Sequence, residues 1–381
     1  MTDSTQLVKN IPTASENRLH EASRISCYVN QHSGDKVADY LDSIGVTAYL
    51  ETGRTIREYI EPKRFGFLGN TIKLQSNLSS IFRFTVHRKD AIAVMKSLIA
   101  IADLHTPGMG TIFSQDLLAY SETPLPVLEN NIHVNRMTEN GIHFLKDLSY
   151  VVCVLTGHEA GEQLAKTALE LGVCVPLLTY GTGNDIRDQL GLLRITISPD
   201  KEVVHLVMPR QDSESIIKLL IEESKLDQPG RGYIFQTPVT LGHLDTRMKV
   251  GKQNHAASID QIIAAIDTLK MGTDWRKRLE TETRRKAVKP FLPDDNCEIS
   301  VITEEDQIDD LKEICLTMGV SGAVTSKVLE IKSDRHMDER ESLVRIEMSV
   351  PVSIADQLVD SLLQSGLVES IHLLNLPVFK H

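Results

Sequence analysis

Apolar positions fall into short, dense runs separated by longer stretches with helical spacing. Three of the runs are rich in β-branched and aromatic residues: Arg24-Ile25-Ser26-Cys27-Tyr28-Val29, Tyr150-Val151-Val152-Cys153-Val154-Leu155 and Cys297-Glu298-Ile299-Ser300-Val301-Ile302. Runs of this length and composition predict strands. Each leads into a polar stretch whose apolar residues recur every three or four positions: Val37, Tyr40, Leu41 and Ile44; Leu164, Ala168 and Leu171; Ile308, Leu311, Ile314 and Cys315. That period predicts amphipathic helices. Each helix ends on Gly-Val, and Gly45, Gly172 and Gly319 lie 20 residues after Ile25, Val152 and Ile299. A glycine there suits a helix end that reverses through a left-handed residue.

The same order of elements follows each glycine. A second strand and a glycine-bearing connection come first, then a third strand (Ile81 to His87, Val203 to Met208, Leu343 to Val350). A second helix is predicted near 90–104, 213–225 and 354–365, and a fourth strand at Thr111 to Phe113, Tyr233 to Phe235 and His372 to Leu374. The expected fold class is α+β: three tandem β-α-β-β-α-β units of the ferredoxin-like type, each an antiparallel sheet with two helices on one face. The units are placed at 22–120, 148–244 and 297–381. Residues 245–296, with Ser258 positioned to cap a helix through Ile259, Ile262, Ile263 and Ile266, read as a helical linker. The polar stretch 121–147 reads as a connector packed across the first two units.

Composition narrows the classes of function. Among 381 residues, 41 Lys and Arg stand against 52 Asp and Glu, a net charge of −11. Such a surface repels phosphate backbones and anionic lipid, so neither nucleic acid nor membrane surface is an expected partner. The run Trp275-Arg276-Lys277-Arg278, with Glu280 and Glu282 close behind, reads as a solvated helix face. The five cysteines follow no CxxC spacing, which fits neither a disulfide framework nor a zinc site and suits a reducing cytoplasm. Met1 to Glu21 lacks an apolar core, so no leader is expected. The 13 histidines form no HExxH and there is no GxSxG; His205, between Val204 and Leu206, reads as a core or edge residue. No catalytic residue, metal site or required cofactor is expected.

The candidate chemistry lies in glycine loops. Pro107-Gly108-Met109-Gly110-Thr111-Ile112-Phe113 and Pro229-Gly230-Arg231-Gly232-Tyr233-Ile234-Phe235 repeat one pattern just before the fourth strand of units one and two. Two glycines separated by one residue let backbone amides converge on an anion, although a plain turn into a strand has the same requirement. Further glycines follow the second strand, at Gly53 beside Arg54 and at Gly181 and Gly183. Asp185 could assist a magnesium ion or simply form an Asx turn.

These loops, in these places, resemble the PII signal-transduction family. The resemblance implies a trimer-like assembly of ferredoxin-like units with nucleotide held in the clefts between them, here fused into a monomeric pseudo-trimer. It implies that Gly108, Met109, Gly110, Thr111, Gly230, Arg231, Gly232 and Tyr233 belong to phosphate-cradling loops, that Gly53, Arg54, Gly181 and Gly183 form the base of a mobile effector loop, and that Arg247 and Lys249 face nucleotide phosphates. Thr111 and Tyr233 stand where the family has a lysine, which weakens charge neutralisation. Unit three has side chains in place of the loop glycines, so at most two clefts are expected to hold ligand.

The implied activity is non-enzymatic regulation. ATP, ADP or AMP, with magnesium left open, would order the unit-one loop spanning Arg54 to Ser79, and that loop would engage a transporter or a metabolic enzyme. The alternative is a pseudo-trimeric scaffold whose glycine loops are turns. A weaker third is an enzyme acting on a phosphorylated compound.

Overall fold

The computed structural model describes residues 20–61, 71–121, 125–126, 128, 142–157, 159–184, 200–228, 230–251, 296–320, 323–332, 341–376 and 378–380. It is a mixed α+β protein. The first segment runs β1 (His20–Asn30), α1 (Gly34–Ser43), β2 (Ala48–Glu61), β3 (Thr71–His87), α2 (Ala91–Ile101) and β4 (Gly110–Ser121). The middle segment repeats the order with β5 (Leu148–Thr156), α3 (Ala160–Glu170), β6 (Leu177–Asn184), β7 (Asp200–Pro209), α4 (Arg210–Ser224) and β8 (Gly232–Val239). Two short strands follow, β9 (Leu241–His243) and β10 (Lys249–Gly251). The last segment comprises β11 (Asn296–Glu304), α5 (Ile308–Thr317), β12 (Ala323–Ile331), β13 (Ser342–Pro351), α6 (Val352–Ser365) and β14 (Ser370–Leu376), with β15 (Val378–Lys380) behind it.

Pairing follows one antiparallel order in each segment: β2-β3-β1-β4, β6-β7-β5-β8 and β12-β13-β11-β14. The second strands then join the segments in a cycle. The start of β2 (Ala48 to Leu50) pairs with the end of β12 (Leu329 to Ile331), the start of β12 with the end of β6, and the start of β6 (Leu177, Leu178) with Thr55 and Arg54 of β2. β14 also pairs with the far end of β4.

This closure explains why the first strands are buried on both faces, so that β5 reads as a continuous apolar run while β1 and β11 carry buried Arg24, Ser26, Glu298 and Ser300 on their inner faces. A strand covered on both faces has no solvent side to mark. Ile25, Cys27 and Val29 of β1 face α1 and α2 in one core, while Tyr28 faces a second core shared with Tyr150, Val152, Val154 and Val324. The middle and last segments have helix-side cores of their own, built on Val151, Cys153 and Leu155 and on Cys297, Ile299 and Val301. Polar side chains on the inner faces find each other across segments. Arg24 binds Glu298 at 2.8 Å, and Oε2 of Glu51 accepts from Arg83 at 2.8 Å and from Arg345 at 2.6 Å.

Helix ends follow the expected chemistry. Gly45, Gly172 and Gly319 have φ of 69°, 70° and 83°, the left-handed region that glycine enters without steric cost. The helices α4 and α6 begin directly after Pro209 and Pro351, residues that have no amide hydrogen to leave unsatisfied.

Several expectations are corrected. Val152 lies in the inter-segment core, opposite the face that Ile25 and Ile299 present, so Val151 is the true counterpart and the middle segment carries one extra residue before its glycine. Most of the stretch Arg54 to Ser79 is not a loop: β2 and β3 stay paired from Ala48↔Phe84 to Glu61↔Thr71, because Thr55 to Ile60 continue as an extended strand. Gly53 accordingly sits inside β2, well before its end at Glu61, whereas Gly181 and Gly183 lie in the last four residues of β6 and the connection 185–199 lies outside the described residues. The start of the predicted helical linker is extended, since Lys249 to Gly251 pair in parallel with Glu58 to Ile60; its residues 252–295, with Ser258 and Trp275, lie outside the described residues. Of the 121–147 connector, Leu128, Ile142 and Phe144 pack on the first core, and Leu145 bridges to Gly242 beyond β8.

Candidate functional site at the glycine loops

Both glycine loops are built alike. Gly108 and Gly110 have φ of 102° and 149°, and Gly230 and Gly232 have 79° and 133°. The second glycine of each pair lies where the fourth strand crosses the first. A Cβ on Gly110 would stand 2.0 Å from the carbonyl oxygen of Tyr28, and one on Gly232 would stand 1.9 Å from that of Val154. The carbonyls between the glycines are used in the same way, Asn30 N–H donating to Met109 O and Thr156 N–H to Arg231 O. Close backbone approach is therefore sufficient reason for Gly110 and Gly232.

The first loop is occupied by a carboxylate of the same chain. Beyond β8 the chain crosses to the first segment: Thr240 N–H donates to Ser114 O, β9 pairs with Ile112 to Ser114, and β10 runs beside the outer part of β2. Between β9 and β10, the amide of Asp245 donates to Thr111 Oγ1 at 2.9 Å. The Asp245 Oδ1 atom accepts from the amides of Gly108 and Arg247, each at 2.9 Å. Its Oδ2 pairs with Arg57 Nη2 at 2.5 Å.

Arg57 organises the surroundings. Its Nη2 also donates to Gly108 O at 3.2 Å, its Nε to Arg247 O at 3.0 Å and its Nη1 to Thr55 Oγ1 at 3.2 Å. The side chains of Arg57 and Asp245 are 5% and 2% exposed, so the pair is desolvated. Arg247 lays its Cδ over Gly108, and Lys249 pairs with Glu58 at 3.2 Å. The structure thus brings Gly108, Thr111 and Arg247 to Asp245, with Met109 and Gly110 in the same loop and Lys249 paired instead with Glu58; Arg57, one of the basic residues of the stretch 54–79, completes the group, and Asp245 is the member that the sequence did not single out.

The remaining predicted residues lie elsewhere. Gly53 and Gly181 mark crossings of the second strands: a Cβ on Gly53 would meet Leu178 O at 3.0 Å, and one on Gly181 would meet Thr325 O at 2.9 Å. Lys201 lies over Gly183. Arg54 stacks on Tyr180, its guanidinium carbon 5.4 Å from the ring centroid, and donates to the Tyr180 hydroxyl. At the second loop Arg231 is exposed, Tyr233 stacks on Phe235, and β15 pairs with Tyr233 to Phe235. Asp185 and Pro229 lie outside the described residues.

A cavity of about 310 Å³ opens away from both loops, between the first and last segments. Tyr49, Thr85, His87, Ala119 and Tyr120 line it from one side and Ser370 and His372 from the other. Among the described residues, no Asp, Glu, Lys or Arg side chain lines it. The Nε2 of His372 lies 2.9 Å from Thr85 Oγ1. Burial holds the His372 imidazole down to about 3, with Arg24 and Arg345 adding to the effect and Glu347 opposing it, so this wall is neutral. No motif in the sequence marks this interface, since the last segment has side chains in place of the loop glycines.

The remaining titratable groups are structural. His205 is buried between Tyr150 Oη at 2.7 Å and Thr179 Oγ1 at 2.8 Å, as its apolar strand suggested. Burial, helped by Arg83, pushes its pKa well down. All five cysteines are buried thiols, with Cys27 and Cys297 pushed up to about 12 by loss of solvent. Among the described residues, no three His, Cys, Asp or Glu converge as metal ligands, and no helix is long and apolar enough to cross a membrane. Compared with known proteins, the chain matches no family model and no curated protein.

Proposed function

We propose that the chain is a PII-like regulatory protein: three ferredoxin-like units fused into a pseudo-trimer that binds an adenine nucleotide or a related small molecule in an inter-unit cleft. The observation that carries the reading is the cyclic pairing of β2, β12 and β6, which sets the segments around one axis and leaves a cavity of about 310 Å³ between two of them. Cavities of this size accept small molecules or a ring system within a larger one. Its lining of tyrosines, histidines and hydroxyls, without Asp, Glu, Lys or Arg among the described residues, suits a heterocyclic base rather than phosphates. Such a protein acts in the cytoplasm without catalysis, and ligand binding selects the conformation that a transporter or metabolic enzyme recognises.

The test is calorimetric titration of the purified chain with ATP, ADP, AMP and cyclic AMP, with and without magnesium and 2-oxoglutarate. Binding at one or two sites, abolished by Thr47→Phe in the cavity lining, supports the reading. Heat with none of them refutes it.

A second reading, a ligand-free scaffold, is favoured by one specific observation. Gly110 and Gly232 are required by chain crossing alone, and the first loop is already filled by Asp245. Titrations without heat, together with stable partner capture, would establish it.

A further inference from the structure

We propose that the cavity between the first and last segments is a self-contained site for an uncharged, ring-bearing ligand of nucleoside size, which bridges Tyr49 and Thr85 to Ser370 and His372. The glycine loops lie at the other end of the sheet. Ala119 in the cavity lining is nine residues from Gly110 along β4, roughly 30 Å of extended strand and farther than a single nucleotide reaches. A molecule seated in the cavity therefore draws none of its affinity from those loops, and the lining itself has to supply the recognition. The Ser370 hydroxyl is the group that lacks a partner. The residue is 2% exposed, yet its Oγ makes no hydrogen bond of full geometry among the described residues; it is only near enough to the Tyr49 phenol to temper the upward push of burial there. Buried polar groups are satisfied in nearly all proteins, and one that borders a cavity is satisfied by what fills it. About 310 Å³ lies at the lower end of small-molecule pockets, which run from about 300 Å³, and gives room for a base or a nucleoside.

The surroundings oppose a charged ligand. Arg88, next to His87 in the chain, is held by Glu21 at 3.1 Å and by Asp116 at 3.6 Å. Glu330, opposite Tyr49 across the β2–β12 pairing, holds Lys332 at 2.7 Å. On the His372 side, Arg24 is engaged by Glu298, and Arg345 by Glu51 and Glu347. Each of these cations is answered within the chain, so a phosphate here would meet their carboxylates without gaining a guanidinium or ammonium of its own. The His372 imidazole, held neutral by burial, supplies no charge either. Treating this cavity as the ligand site rests on the reading above; what is added is that the phosphates are dispensable.

Adenosine and uridine are the neutral probes, with AMP and ATP as charged counterparts, all titrated calorimetrically into the full chain. At least one nucleoside should bind, and adenosine should bind no less tightly than AMP or ATP. Binding should slow amide exchange at the end of β3 and in β14 and leave Gly108 and Gly110 unchanged; protection at those glycines instead overturns the proposal. Ser370→Ala should weaken nucleoside binding about tenfold, the loss of one hydrogen bond, and leave the melting temperature in place because no protein group uses that hydroxyl. Unchanged binding in that variant overturns the proposal, whatever its stability. AMP or ATP binding about tenfold or more tightly than adenosine overturns it too, and leaves the nucleotide reading standing. Adenosine bound while AMP and ATP give no heat leaves the proposal standing and refutes that reading. Heat from none of the probes refutes both.

Discussion

Arg345 Nη2 on β13 reaches Glu51 Oε2 on β2 at 2.6 Å, joining the last segment to the first through a bond buried on both sides. Glu51 holds Arg83 of its own segment with the same oxygen atom, and Glu347 takes Arg345 Nε at 3.1 Å, so two carboxylates face two guanidinium groups beside the inter-segment core. Removing one partner of a buried ion pair strands charge in a poorly solvated interior. Glu51→Gln should therefore cost about 3–5 kcal/mol, near the limit a marginally stable protein can lose. Urea unfolding would measure it. A loss below 1 kcal/mol would mean that water reaches the axis. Glu51→Gln combined with Arg83→Met should recover part of the loss, because Arg345 keeps Glu347 while Arg83 is the cation left without its carboxylate.

The two glycine classes should separate by stability. Gly110→Ala and Gly232→Ala place a methyl group 2.0 Å and 1.9 Å from backbone oxygens, contacts that cannot be relieved by moving a side chain. Each should cost well over the ~1–2 kcal/mol of a left-handed residue alone. Gly366→Ala, with φ of 68° and open space around it, should cost only about that smaller amount. Thermal melts of the three variants test the ranking, and equal costs would contradict it. Loss of ligand response in a Gly110 variant would thus report damaged folding as readily as a damaged site.

Local signals made the repeats legible, and distant partners hid the site. The run from Tyr150 to Leu155 and the glycines at 45, 172 and 319 are consequences of burial and backbone geometry at the residues themselves, so they show in the chain. Thr55 to Ile60 show no clear period, so nothing local marked them as strand, and the partners of Arg54 and Arg57 there, Tyr180 and Asp245, lie 126 and 188 positions away. Asp245 itself had no local mark. Its amide donor at Gly108 lies 137 positions away, and no spacing rule connects them. The cavity was missed for a related reason: Ser370 and His372 matter there through the wall they complete against Thr85 and Tyr49, not through a motif.

Acid should weaken the fold in a defined window. His372 stays neutral down to about 3 in the folded chain, because burial first, then Arg24 and Arg345, oppose its protonation. In the unfolded chain it takes a proton near 6.5. The unfolded state therefore binds more protons between those values, and stability is full above about 6.5 and falls as pH drops toward 3. His205, lowered in the same direction, adds to the slope. Near pH 5 each histidine should contribute up to about 1.4 kcal/mol per pH unit. Below 4.5 Glu347 joins them: burial alone would raise its carboxyl, but Arg345 and Arg83 hold it at about 2. Urea midpoints at pH 7.5, 6.5, 5.5 and 4.5 should show a plateau and then a decline, and His372→Gln should make the decline shallower. A flat profile to pH 4.5 would place these imidazoles in contact with water.

Thiol labelling should report the same burial kinetically. Thiolate is the reactive form, and burial keeps Cys27 and Cys297 protonated with values pushed up to about 12, while Cys153 is pushed in the same direction. Cys315, on α5, is raised less, to about 11, and retains 8% exposure. An aromatic disulfide reagent at pH 8 should therefore leave all five cysteines nearly untouched in the folded chain, and Cys315 should be modified first as α5 opens. Local opening of one helix requires less free energy than separating a strand paired on both sides. Cys27, Cys153 and Cys297 each lie in such a strand, so they should react only at the rate of global unfolding. Peptide mapping after graded labelling distinguishes them, and early modification of Cys27 or Cys297 would mean that the first strands, and with them the whole cyclic sheet, open more easily than their pairing implies.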